Sequence, residues 1–133
     1  MKLAGFEIQK VLYARLNGNI DCLIKDDVDQ DESYPYVEIG ESIIVPDETK
    51  CNLSVVSVSL HGWDKNGSRE PIESIMSDCL NTITTSHDAT PNFLAPTGFT
   101  VHNQFLGSSN TIKDINAETW HNITTIEFHV KQN

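Results

Sequence analysis

Residues 53–61 show the most regular alternation of apolar and polar positions in the chain. Successive side chains of a strand point to opposite faces, so Val56, Val58 and Leu60 share one face, and a mixed set with two serines occupies the other. One apolar and one mixed face are typical of a sheet with helices on one side, because a strand buried on both faces reads as a continuous apolar run. This segment therefore predicts a strand at the centre of the fold.

A helical pattern follows this strand after a short polar turn. Ser68 can accept a hydrogen bond from the first free amides of a helix, and Pro71 is tolerated in the first turn, where amides have no intrahelical partner. Beyond Pro71 the apolar residues recur at intervals of three and four, which makes one stripe along a helix. The residues of this stripe are Ile72, Ile75, Met76, Cys79, Leu80 and Ile83.

A second helix is predicted at the start of the chain, over Lys2–Leu16. Polar residues interrupt its apolar positions at helical spacing, and Asn17, Gly18 and Asn19 supply the left-handed conformations that end helices. The apolar positions are Phe6, Ile8, Val11, Leu12, Tyr13 and Leu16.

Four further segments are predicted as strands, and the order of all elements indicates the fold class. Gly40 lies inside one of these strands and suggests a bulge or a close backbone approach. The polar segment 108–119 is either a linker or the arm of a hairpin. The order helix, strands, helix, strands predicts one α+β domain over residues 1–133, with a mainly antiparallel sheet and two helices packed on one face. The four predicted strands span residues 22–24, 34–45, 99–105 and 120–131.

The charge balance and the cysteines narrow the class of protein. Nineteen acidic and nine basic side chains give a formal charge of -10, which repels phosphate backbones and anionic lipids. Glu7 and Lys10 interrupt the first apolar segment, so it lacks the core of a signal peptide, and no apolar run reaches transmembrane length. Three widely spaced cysteines fit reduced thiols in a cytosol better than a disulfide framework.

No short motif in the sequence indicates catalysis, a metal or a cofactor. The chain contains no Gly-rich phosphate loop, no GxSxG and no HExxH. Among the five histidines, His121 and His129 lie on one face of the last predicted strand, yet eight residues of extended chain separate them by roughly 26 Å. We therefore expect no enzyme, no metal site and no cofactor, although acid–base groups distant in sequence can still meet in the folded chain.

Two segments are candidates for an assembly interface. The acidic run after the first short strand lacks the central glycine and distal glutamate of an EF-hand, so we expect a solvated, self-repelling loop. The Pro-containing loop 86–98 carries two apolar residues that either fold back over the sheet edge or are presented to a partner. The candidate interface residues are Asp26, Asp27, Asp29, Asp31, Phe93 and Leu94.

Four segments together carry a family resemblance: VLYARLNGN, YPYVEIGES, VSVSLHGWDKNGSREPIESIMSDCLNTI and TWHNITTIEFHV. In order and spacing they resemble the tail completion proteins of long-tailed phages, the tail-to-head joining family, and in particular the member from a Bacillus siphophage. The resemblance extends from about Val11 to Val130. Its most specific pieces are Pro35-Tyr36-Val37, Trp63 with the following turn and helix, and Trp120-His121.

The resemblance implies a structural subunit without enzymatic activity or cofactor. Such a subunit forms a ring, typically a hexamer, at the head-proximal end of the tail tube, and its partners are its own copies, the tail tube protein and the head connector proteins. It implies no membrane and no sequence-specific nucleic acid, with DNA passing through the channel, and a place in the virion after assembly in the host cytoplasm. The alternative is a small acidic binding module, for example an inhibitor that mimics nucleic acid, although the carboxylates here cluster in one loop.

Overall fold

The computed structural model describes residues 3–20, 22–25, 35–46, 52–65, 68–84, 93–113 and 119–133. Within these ranges the chain forms two helices and five strands, so the predicted α+β class is confirmed. In chain order the elements are α1 (Gly5–Leu16), β1 (Leu23–Lys25), β2 (Tyr36–Pro46), β3 (Leu53–Asp64), α2 (Glu70–Thr84), β4 (Phe99–Lys113) and β5 (Trp120–Gln132).

The five strands form one sheet in the order β1-β2-β3-β5-β4. The pairs β2–β3, β3–β5 and β4–β5 are antiparallel, and the short β1 pairs parallel to β2. The mainly antiparallel sheet predicted from the sequence is therefore confirmed, and β3 is its central strand. Val56, Val58 and Leu60 of β3 are buried, as their alternation predicts.

Helix α2 begins and packs as its sequence predicts. The Glu70 amide donates a hydrogen bond to the Ser68 hydroxyl oxygen over 3.2 Å, which satisfies one of the free amides before the first turn. Gly62 of β3 lies under the helix, and a Cβ added there would approach the Met76 sulfur to 2.6 Å. The missing side chain at residue 62 therefore lets α2 approach the sheet closely. The fully buried positions of the helix stripe are Ile72, Met76, Cys79 and Ile83.

Helix α1 starts later than predicted and buries a narrower stripe. It begins at Gly5 instead of Lys2, and Ile8, Leu12 and Leu16 are buried. Phe6 and Tyr13, which the sequence pattern grouped with this stripe, are exposed; Phe6 is 68% accessible. Two residues correspond to about 200° around a helix, so Phe6 projects away from the side that Ile8 buries.

The ends of α1 and its contact with the sheet also follow from local residues. The Asn17 amide bonds the Tyr13 carbonyl, and Gly18 then adopts a φ of 86°, so the helix stops where the sequence predicts. At its other end Gly5 lies against Ser42 and Ile44 of β2. The prediction that both helices cover one face of the sheet stays a prediction.

Several strands differ from their predicted spans. β1 has the predicted length but lies one residue later, and β2 runs one residue beyond its predicted end, to Pro46; Tyr34 lies outside the described residues. β4 continues to Lys113, so the described part of segment 108–119 is the arm of a hairpin. Apolar periodicity does not indicate this extension, because the extension is held by hydrogen bonds to β5 and not by the burial of apolar side chains.

Gly40 is the site of both irregularities that its position suggested. The register between β2 and β3 shifts between Ile39 and Ser42, which marks a bulge. A Cβ at Gly40 would approach the His61 ring to 2.6 Å, so the backbone also passes close to that side chain. Glu41, which lies in this bulge beside Gly40, reaches His61.

Candidate assembly surface

One face of the sheet carries a row of aromatic and histidine side chains, and we call it the histidine face. It is defined by His61 and Trp63 of β3 and by His121 of β5, which lies opposite Trp63. The rings of Trp63 and His121 are stacked, with centroids 3.6 Å apart and planes 9° apart. Tyr36 of β2 lies on the other side of Trp63 at 6.5 Å between centroids. The row therefore crosses three strands.

A hydrogen-bonded chain continues this row from His121 to Glu41. His61 Nδ1 lies 2.9 Å from His121 Nε2, and His61 Nε2 lies 3.1 Å from the Glu41 carboxylate. A carboxylate only accepts, so His61 donates its Nε2 proton to Glu41. A neutral His61 then accepts at Nδ1 from the Nε2 proton of His121.

The electrostatics of this chain favour an ionised Glu41. A hydrogen bond from its own backbone amide holds the pKa of Glu41 below its ordinary value. Partial burial opposes this shift, and the hydrogen bond from His61 adds to it. The Glu41 carboxylate is therefore a constant hydrogen-bond acceptor for His61, at one end of a polar row that connects β2, β3 and β5.

Sequence reasoning missed this cluster because it compared histidines along one strand. His61 and His121 are 60 residues apart and meet only through the antiparallel register of β3 and β5. Among the residues that the structure describes, no group of three or more His, Cys, Asp or Glu is placed to hold a metal ion. The hydrogen bonds of the cluster link β2, β3 and β5.

A groove of about 470 Å³ lies between α2 and the outer part of the β4–β5 hairpin. Its polar floor is hydrogen-bonded within itself: Asn122 donates to the Thr111 hydroxyl over 2.8 Å, and Thr124 donates to the Asn122 carbonyl oxygen over 2.6 Å. Arg69 lines the groove and also lies over the Trp120 ring, 5.2 Å from its centroid. These bonds hold the hairpin arm to β5.

The two apolar candidates of the interface behave differently. Leu94 is 3% exposed and belongs to the core, with its amide bonded to the Gln104 side chain over 3.1 Å. Phe93 is 37% exposed, and its carbonyl accepts a hydrogen bond from Arg15 of α1. Folding back over the sheet therefore describes Leu94, and presentation to a partner stays a prediction for Phe93.

The acidic candidates cannot be placed in this geometry. Asp26, Asp27, Asp29 and Asp31 lie outside the described residues. Their part in an interface stays a prediction.

The helices of the described ranges are too short or too polar to cross a membrane. Cys79 is buried, and this burial, with smaller effects from Cys22 and Asp78, raises the pKa of its thiol to about 12. Cys79 therefore acts as a core residue and not as a nucleophile, because only a thiolate is reactive.

Comparison with known proteins identifies the fold but no family. No family model matches the sequence, and no curated protein sequence matches it. Among solved structures, one chain from a structure described as the virion of a native gene transfer agent particle is similar. The superposition covers 96% of this chain and 91% of that chain with a TM-score of 0.69, while 10% of the residues are identical. The two chains therefore share a fold.

Proposed function

We propose that this chain is a virion structural protein that joins a phage tail to the head connector. In this proposal it forms a ring, a hexamer, at the head-proximal end of the tail tube and acts without catalysis or a cofactor. The observation that carries the proposal is the fold shared over 96% of the chain with a component of a virion particle. The sequence resemblance to tail completion proteins supplies the more specific role.

The described residues suit a structural role because the polar side chains of the histidine face and of the groove form hydrogen bonds within the fold. The histidine chain bonds strand to strand, and Asn122 and Thr124 in the groove bond each other and the hairpin arm. In the proposal, residues 1–133 form one such domain. The acidic run of residues 26–32 and the loop 86–98 contact the tail tube and head connector proteins.

The net charge of -10 fits a subunit that surrounds DNA without binding it. A channel lined by acidic side chains repels the phosphate backbone, so DNA passes through it without being held. The protein acts within the virion and assembles in the host cytoplasm.

Electron microscopy of particles made without this protein tests the role. We expect unattached tails beside DNA-filled heads, and we expect purified protein added to such an extract to restore joined particles. Normal virions in its absence would refute the proposal. Stoichiometric capture of a nuclease, with no capture of tail or connector proteins, would instead favour the acidic inhibitor.

Amide hydrogen exchange tests which segments meet the neighbours. Tail tubes or connectors added to the purified chain should slow exchange in residues 26–32 and 86–98, because backbone amides buried at an interface are protected. Exchange in the centre of β3 serves as the internal control, since that strand is already buried. Unchanged exchange in both segments would remove them from the interface.

A further inference from the structure

The exposed apolar side chains of the described strands lie on two stretches at opposite sides of the sheet. In β2 they are Ile43, 61% exposed, and Val45, 57% exposed. In β4 they are Phe105, 37% exposed, and Leu106 and Ile112, each 44% exposed. Every residue of β2 from Glu41 onward except Ile44 is exposed. Exposed apolar stretches of this kind are typical of protein–protein interaction sites.

The same two stretches are strand edges. β1 pairs only with residues 36–38 of β2, so the part of β2 from residue 41 onward has no strand beyond it among the described residues. β4 is the last strand of the sheet on the other side. An edge strand carries unpaired N–H and C=O groups that can pair with another chain.

Strand direction allows these two edges to join between copies. Each step from β2 to β3, β5 and β4 is antiparallel, so β4 runs opposite to β2 within one copy. A rotation about an axis along the strands keeps strand direction, and it sets β2 of the next copy antiparallel to β4 of the first. The pairing across the boundary then has the form found in the rest of this sheet.

Side-chain orientation fits the same arrangement. Ile43 lies opposite Ser57 of β3, and Ile112 lies opposite His121 of β5, so both project from the histidine face. A copy added in the same sheet keeps this face on one side. A register with Ile43 opposite Ile112 brings two exposed apolar side chains together as a cross-strand pair and sets Val45 opposite Asn110.

We propose that residues 42–46 of β2 in one copy pair antiparallel with residues 109–113 of β4 in the next copy. The contact joins two different surfaces, so it repeats head to tail and closes into a ring when the rotation between copies permits. The inference rests on the proposed function, because it supplies the contact between subunits of the proposed ring.

Pairing between two identical strand edges of neighbouring copies would bury less of the exposed apolar surface. A two-fold contact between two β4 strands covers Ile112 and leaves Ile43 and Val45 in water, and a contact between two β2 strands does the reverse. The head-to-tail contact covers Ile43, Val45 and Ile112 with one kind of interface. Phe105 and Leu106 lie farther along β4, outside this contact.

Disulfide trapping tests the contact on the purified chain. Ile43→Cys and Ile112→Cys, prepared separately with tags of different mass, are mixed and oxidised, and the products are resolved by non-reducing electrophoresis. The mixed disulfide should form roughly tenfold or more faster than the disulfide between Phe6→Cys and Ile112→Cys, because residues held at an interface have a raised effective concentration. Phe6 is the matched control, since its exposure is similar to that of Ile43.

The wild-type chain, with its three cysteines, sets the background in parallel. In the double variant Ile43→Cys/Ile112→Cys, a ladder of covalent oligomers ending in one closed species supports ring formation. Disulfides formed mainly between identical chains, or a mixed pair no faster than the Phe6 control, would overturn the proposal. Because no virion is used, failure here removes the strand pairing alone, and micrographs of particles lacking the protein decide the head–tail role separately.

Discussion

At the scale of single residues, the chain from His121 through His61 to Glu41 links three strands through two hydrogen bonds. Glu41, the acidic member of this chain, is ionised at neutral pH because its pKa is held below its ordinary value. Its side chain is largely in water, so the bond to His61 contributes little to stability even though it fixes the orientation of both rings.

Replacing Glu41 with glutamine tests this contribution. Because the pKa of Glu41 is lower in the folded chain than its ordinary value of 4.5, the unfolded chain binds more protons between the two values. The stabilisation is therefore present above pH 4.5 and is lost as the pH falls through the folded value. We expect Glu41→Gln to cost about 0.5 kcal/mol at neutral pH and progressively less as the pH falls below 4.5, as measured by urea unfolding.

Glu127→Gln is the matched control for this experiment. Glu127 lies on the histidine face too, but six residues along β5 from His121, opposite Ser57 and Phe105. A loss that is equal for both variants, or one that persists at low pH, would contradict the assigned role of Glu41.

Cys79 gives a second prediction at the residue scale, at alkaline pH. The folded chain keeps the thiol proton up to about pH 12, whereas the unfolded chain releases it near the ordinary value of 9.0. Between these values the folded state binds more protons, so the free energy of unfolding falls as the pH rises.

The advantage of the wild type over Cys79→Ala should therefore shrink by about 1 kcal/mol between pH 8 and pH 10. Urea unfolding of both proteins at each pH measures this difference, and the alanine variant cancels the titration of lysines and tyrosines that both proteins share. A constant difference across this range would show that Cys79 titrates normally in the folded chain.

At the scale of elements, the contact between α2 and β3 depends on the absent side chain at Gly62. A methyl group there would lie 2.6 Å from the Met76 sulfur and 2.9 Å from Cδ1 of Ile72, so both side chains must move. We expect Gly62→Ala to cost about 1–2 kcal/mol of unfolding free energy, measured by urea denaturation.

A double-mutant cycle separates this overlap from a backbone effect. Met76→Ala removes the sulfur, so Gly62→Ala should cost at least about 0.5 kcal/mol less in the Met76→Ala background than in the wild type. Equal costs in both backgrounds would mean that overlap with the Met76 side chain does not set the cost of the added methyl group.

The hairpin arm is held by hydrogen bonds in which Asn122 is the central member. Asn122 is buried, and its side chain bonds Thr111 and Thr124. Asn122→Ala removes the acceptor of the buried Thr124 hydroxyl and the donor to the Thr111 hydroxyl, and we expect a loss of about 2 kcal/mol in unfolding free energy. Asn110→Ala, an exposed position on the same arm, should change stability by less than about 0.5 kcal/mol. Similar losses of stability at both positions would contradict the conclusion that the hydrogen bonds of Asn122 hold the hairpin arm to β5.

The elements differ in how far their sequences predict them. The stripe from Ile72 to Ile83 and the alternation around Val58 are local patterns, so α2 and β3 are predicted well. The outer half of β4 has no apolar periodicity and is held by polar bonds such as that of Thr111. Its conformation was therefore left open by the sequence. The pairing of His61 with His121 depends on a strand register that neither segment encodes alone.

At the scale of the whole molecule, net charge governs the behaviour toward DNA. Because the chain carries a formal charge of -10 and its basic residues are scattered, we expect no saturable binding of duplex DNA even at about 50 mM salt, where phosphate contacts are strong. Fluorescence anisotropy of a labelled duplex measures this. Salt-sensitive binding would indicate a local basic surface and would contradict a channel through which DNA passes freely.

The shortness of β1 has a consequence for how copies can meet. Its three residues block the side of β2 only as far as Glu38, so an incoming strand finds backbone to pair with only beyond that point. In the proposed pairing, the end of β1 limits how far the incoming strand can slide along β2. Every copy then meets its neighbour at the same offset, and the assembly closes as a flat circle when that offset adds no rise along the strand axis.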